Sequence, residues 1–108
     1  PQLSTLFSAL GDTTRLLILD ELRKREHQTL FEICARLFEE HSITISRQGI
    51  TRHLNTLEQA GLITTTWRGR TKIHTLLSTP ISDAINPWVE HILKETPYEN
   101  VLEEHRCR

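Results

Sequence analysis

Between Ser46 and Leu77 the chain changes its hydrophobic period, and no other feature restricts the possible folds as strongly. Ile50, Leu54 and Leu57 recur at i, i+4 and i+7, the spacing that lines one face of an α-helix. Ser46 stands just ahead of them, with a hydroxyl suited to accept from an orphan N–H of the first turn. A helix is therefore predicted over residues 47–60. Gly61 follows Ala60 and suits the left-handed position just past a helix end. The run Leu62-Ile63-Thr64-Thr65-Thr66-Trp67 is rich in β-branched residues and reads as a strand. Arg68-Gly69-Arg70 forms a tight turn, and Thr71 to Leu77 alternates as the return strand.

The remaining elements are helical. Leu3, Leu6, Phe7 and Leu10 give a helix over residues 3–10, ended by Gly11. Asp12 caps the next, over residues 13–25, with Leu16, Leu17, Leu19 and Leu22 as its apolar stripe and Ile18 beside it. Arg23, Lys24 and Arg25 close it where the helix dipole favours cations. Thr29 and Glu32 form a capping-box pattern for a third helix carrying Leu30, Ile33, Cys34, Leu37 and Phe38. The connector over residues 41–45 is β-branched, and Ile43 and Ile45 are expected to point inward. Pro80 fits the first turn of a last helix to about residue 95, with Ile81, Ala84, Ile85, Trp88, Val89 and Ile92 apolar. Pro87 either kinks that helix or splits it. Beyond Thr96-Pro97 the tail is expected to fray. The order helix-helix-helix-helix-hairpin-helix describes a mainly α fold with a small β-hairpin, the order of a winged helix-turn-helix. The 108 residues are expected to form one such domain.

Charge is distributed unevenly along this order. Residues 46–74 carry Arg47, Arg52, Arg68, Arg70 and Lys72 against the single acid Glu58, a local balance of +4 in a chain whose net charge is −1. A basic stripe on an otherwise acidic chain is the pattern of a phosphate-binding surface. If Ile50, Leu54 and Leu57 face the core, the opposite side of their helix presents Arg47, Gln48, Thr51, Arg52 and Asn55, with no acid among them. A helix of this width fits the major groove of double-stranded DNA. There Arg matches guanine, Gln matches adenine and the Thr methyl matches thymine. Ser46 and the N–H groups of the first turn suit a phosphate oxygen. Arg68, Gly69, Arg70 and Lys72 at the hairpin tip suit the phosphates or the minor groove.

Other residues on this stretch stay open at the level of sequence. His53 and His74 either donate to phosphates or serve as partly buried structural histidines. Gly49 costs helix stability, so it either allows close packing on the third helix, allows close approach to DNA, or is simply tolerated. Trp67 is expected to pack under the hairpin.

Two runs make the chain resemble the ArsR (arsenic-repressor) family of bacterial regulators. The first is Leu6-Phe7-Ser8-Ala9-Leu10-Gly11-Asp12-Thr13-Thr14-Arg15-Leu16-Leu17-Ile18-Leu19, and the second runs from Ile45 through Arg47-Gln48-Gly49-Ile50-Thr51-Arg52-His53-Leu54 to Ala60-Gly61-Leu62-Ile63. Arg68-Gly69-Arg70 matches the family's wing, and the resemblance spans roughly residues 3–93. It implies a homodimer joined through the first and last helices (3–10 and 80–95), nominating Leu3, Leu6, Phe7, Leu10, Ile85, Trp88, Val89 and Ile92 for the contact. It also implies binding to a pseudo-palindromic operator, and repression as the mode of action.

Many members of that family sense metals, but this chain departs from their patterns. Their paired cysteines would fall near Thr29 and Phe31, whereas the lone Cys34 aligns with a small core position. In the last helix Ile85 and Lys94 stand where ligands would be needed after Asp83 and His91. His91, His105 and Cys107 are the remaining grouping of metal-binding residue types, and no metal or other cofactor is expected. Two distant cysteines make no disulfide framework. No apolar stretch approaches the ~20 residues of a membrane span, and residues 1–10 do not have the make-up of a secretory leader. The expected setting is therefore cytoplasmic, with no membrane partner. No phosphate loop, nucleophile constellation or paired-carboxylate motif marks an enzyme. The alternatives to DNA regulation are a metal- or thiol-responsive repressor of the same family and a winged-helix module that binds proteins. An effector, if the chain has one, is not written in these motifs.

Overall fold

The computed structural model describes residues 2–95, in two compact units, one up to Ser78 and one from Thr79 on. The first unit contains α1 (Leu3–Leu10), α2 (Thr13–Lys24), β1 (Gln28–Thr29), α3 (Leu30–His41), α4 (Arg47–Gln59), β2 (Ile63–Arg68) and β3 (Thr71–Leu76). Caps expected from sequence delimit the helices. Arg15 N donates to Asp12 Oδ1 at 3.1 Å. Thr29 and Glu32 satisfy each other's backbone N–H groups at 3.0 and 3.1 Å. Gly49 N donates to Ser46 Oγ at 3.0 Å. These amide hydrogen bonds hold the Asp12 and Glu32 carboxyls below their ordinary range. At the other end of α4, Leu62 N donates to Leu57 O and Gly61 N to Glu58 O, both at 3.0 Å, a Schellman closure.

The core gathers Leu6 of α1, Ile18 and Leu22 of α2, Ile33 and Leu37 of α3, and Ile50, Leu54 and Leu57 of α4. α4 packs on α2, α3 and β2, so its apolar stripe is fully used from within. Three details differ from the sequence reading. Ile18 is at the centre of the core, while Leu16 is 50% exposed. The buried face of α2 follows the i, i+4 pair Ile18–Leu22 and not the leucines alone. Leu6 is fully buried and belongs to the core, which removes it from the predicted dimer contact set. Ile45 does not turn inward but is 39% exposed. Its Cγ2 would lie 2.5 Å from a Cβ added at Gly49, so Gly49 is demanded by the connector and not by α3.

A strand that the sequence reading missed completes the sheet. β1 pairs antiparallel with β3, giving the order β1-β3-β2, with Gln28 opposite His74 and Thr29 opposite Ile73. Gln28 is buried, and its amide donates to the carbonyls of Glu21 and Arg25 at 2.9 and 2.8 Å, closing the end of α2. β2 and β3 pair from Ile63–Leu76 to Arg68–Thr71. The two-residue loop between them begins with Gly69 at φ 64°, a conformation that L side chains avoid.

The second unit begins with a π-helical segment, Ile81–Ile85, and continues as α5, Asn86–Glu95. Pro87 falls in the first turn of α5, where its missing N–H has no intrahelical partner to lose. It therefore marks a new start. Ile85 is half-buried, and Trp88, Val89 and Ile92 are exposed on one helical stripe. No helix among the described residues is long and apolar enough to cross a membrane. The predicted tail, with His105 and Cys107, lies outside the described residues.

Candidate nucleic-acid interface

The outer side of α4 carries the residues that its amphipathic spacing placed there. Ser46, Arg47, Gln48, Thr51, Arg52 and Asn55 are all exposed. Arg68, Gly69 and Arg70 are exposed at the hairpin tip, and Lys72 is half-buried on β3. Helix and hairpin meet at a cavity of about 180 Å³, whose lining includes Thr51 and Asn55 of α4 together with Lys72 and His74 of β3. Two of the predicted helix residues, Thr51 and Asn55, therefore border one concave surface with Lys72 and His74 of β3.

The single acid of this stretch is already engaged. Thr65 Oγ1 donates to Glu58 Oε2 at 2.7 Å, and Lys72 Nζ lies 3.9 Å from Glu58 Oε1. Arg47, Arg52, Arg68 and Arg70 form no ion pair among the described residues.

The two open histidines have different surroundings. His74 is 5% exposed, and its Nδ1 lies 3.0 Å from the Gln28 carbonyl. Desolvation lowers its pKa below the ordinary imidazole value of 6.5, so it is a neutral structural residue that donates Nδ1–H. His53 is half-buried, and its Nδ1 is 3.1 Å from Arg15 Nη1. An arginine only donates, so Nδ1 accepts and Nε2 is the donor atom of that ring. Arg15 also donates to the carbonyls of Ala9 at 2.7 Å and Ser8 at 3.2 Å, fastening the end of α1 to α4 through His53. The sequence reading gave Arg15 no such role.

Trp67 corrects an expectation. It is not packed under the hairpin but is 68% exposed, paired across the strands with Lys72 and next to Arg68. The position of Trp67 near the loop decides this, because Ile63 is buried and the strand becomes steadily more exposed towards its tip.

This architecture agrees with what known proteins show. A family model described as a helix-turn-helix domain matches residues 10–66. The chain is 41% identical over 85 residues to the HTH-type transcriptional regulator YuzN of Bacillus subtilis (strain 168), covering 79% of this chain and 92% of YuzN. It is 33% identical over 93 residues to the transcriptional repressor SdpR of the same organism, covering 86% of this chain and 94% of SdpR. The solved structure of an ArsR-like transcriptional regulator from Rhodococcus sp. RHA1 aligns with a TM-score of 0.70 at 29% identity, over 96% of this chain and 89% of its own.

The chain is a winged helix-turn-helix regulator of the ArsR family.

As an ArsR-family protein it is a DNA-binding regulator of transcription, a class without catalysis. In this ArsR-family chain α3 and α4 are the helix-turn-helix pair and β2–β3 is the wing. Cys34 is half-buried and not a fully enclosed core residue, and burial raises its thiol pKa. A reactive sensor cysteine needs the opposite shift. The metal-binding residue types also group differently from the sequence reading. Among the described residues, Glu21, Glu40 and His41 come together, whereas the predicted His91, His105 and Cys107 grouping lies largely outside them. Separation along the chain hid this cluster, since Glu21 is on α2 and its neighbours are at the end of α3.

Proposed function

We propose that this regulator acts as a homodimeric repressor that places α4 of each subunit in successive major grooves of a pseudo-palindromic operator. Arg47, Gln48, Thr51, Arg52 and Asn55 read base edges, while Ser46 and the first-turn N–H groups hold a phosphate. Arg68, Gly69, Arg70 and Lys72 lie along the flanking backbone or minor groove, and exposed Trp67 joins them at the tip. His53 donates through Nε2 from the edge of the same surface. The observation that carries this reading is the set of exposed arginines without ion pairs on α4 and the wing, two elements that meet at one cavity through Thr51, Asn55 and Lys72. The naming of SdpR as a repressor supports repression over activation.

Dimerisation is assigned to the terminal helices of one folded domain. The contact residues are Leu3, Phe7 and Leu10 from α1, and Ile85, Trp88, Val89 and Ile92 from the last helical region. A two-fold pair of recognition helices then spans half-sites about one DNA turn apart. The cytoplasm is the corresponding site of action. The test is selection of bound genomic fragments, followed by affinity measured against salt concentration. Enrichment of a palindromic fragment with a steep salt dependence is expected. Equal affinity of wild type, Arg52→Ala and Arg68→Ala for the selected fragments overturns the assignment.

A further inference from the structure

The C-terminal ends of α2 and α3 hold a second cluster, separate from the α4–wing surface. Glu21, Glu40 and His41 each bring one ligand-type atom within 4.8 Å of the others. Glu21 is only 1% exposed, yet neither of its carboxylate oxygens has a hydrogen-bond partner. His41 Nε2 is also buried without one. A buried carboxylate in that condition is costly unless something compensates its charge.

The spacing indicates what could compensate it. His41 Nε2 lies 3.5 Å from Glu21 Oε1 and makes no hydrogen bond there. Two donors on one tetrahedral zinc ion stand ~3.4 Å apart, given bonds of ~2.1 Å. The Lys24 ammonium stays at 3.7 Å from Glu21 and 3.6 Å from Glu40, with its side chain 42% exposed. It flanks the cluster on a flexible stem and does not fill it. Burial, followed by the neighbouring Glu40, raises the Glu21 pKa even though the Lys24 ammonium beside it acts in the opposite direction. Both helices also direct the negative ends of their dipoles here.

We propose that Glu21, Glu40 and His41 bind a divalent transition-metal ion, zinc by the match of one imidazole and two carboxylates, with water completing the coordination. The site differs in place and in ligands from the cysteine and last-helix patterns that this chain lacks. It joins α2 to the last turn of α3, immediately before Ser42 (φ 56°) and the connector that leads to the Ser46 cap of α4. A bound ion fixes the point from which the recognition helix starts.

The test is titration of the intact protein with Zn²⁺ against a chromophoric chelator, with Co²⁺ absorption as a spectroscopic readout. One ion per chain is expected for wild type. His41→Gln and Glu21→Gln should each weaken binding roughly tenfold or more, since even outer-shell changes cost that much. The double variant His91→Gln/Cys107→Ser, and Lys24→Gln, should bind at least as well as wild type. His41 is partly exposed, so His41→Gln keeps the test valid if Glu21→Gln does not fold; circular dichroism in chelator checks both. No uptake by wild type, unchanged affinity in His41→Gln, or loss of binding in the His91/Cys107 variant overturns the proposal.

Discussion

Two charged regions of the first unit behave in opposite ways. At the ends of α2 and α3, Arg23 pairs with Asp20 at 2.8 Å, Lys24 reaches Asp20, Glu21 and Glu40, and Arg36 reaches Glu40. Along α4 and the wing tip, Arg47, Arg52, Arg68 and Arg70 have no such partner among the described residues. Exposed ion pairs add little stability, so the contrast does not concern what holds the fold together. In the first region each of these cations has a carboxylate partner within the chain. In the second, a positive field is left for a partner outside the chain. A chain with net charge −1 can thus carry a strongly basic surface, the one the proposed DNA contact uses, because placement along the fold matters more than the sum.

The comparison can be broken at several points. The largest effect is expected from Leu57→Ala, on the inner side of α4, which should cost about 2–5 kcal/mol of folding stability, read by denaturant unfolding. Arg52→Ala on the outer side should leave that stability nearly unchanged. It should instead weaken binding to the selected operator by about 1–3 kcal/mol in a titration at fixed salt. The paired Arg23→Ala should change operator affinity far less, and an equal loss in both variants would erase the distinction. Arg68→Ala should weaken binding to all sequences alike and reduce the slope of log affinity against log salt by about one.

The smallest effect concerns the histidine behind the cavity. The folded-state pKa of His74 lies below its unfolded value of 6.5, so between those values the unfolded chain binds more protons. Stability should therefore rise with pH up to about 6.5, and this contribution should level off above it. Unfolding curves of His74→Gln across that range should show a shallower rise. An unaltered pH dependence would mean that His74 does not take part.

Much of this was legible because its physics is local. The Ser46, Asp12 and Thr29 caps act over three residues, as the 3.0–3.1 Å bonds show. The stripe of α4 and the Arg68-Gly69-Arg70 turn depend on neighbours within one or two turns of chain. Local spacing thus determined the order of elements, the polar side of the recognition helix and the arginine-tipped wing. Contacts between distant residues decided the rest. β1 is two residues long and exists through its pairing with β3. His74 is neutral because the sheet excludes water from it, and Gln28, 46 positions away, accepts its Nδ1–H. Gly49 is required by the path of Ile45, and Trp67 is exposed because the hairpin tip extends beyond the core. Glu21 meets His41 only because α2 and α3 pack side by side. Periodicity specifies which face of a helix is apolar, but only packing specifies which polar groups share the space between two helices.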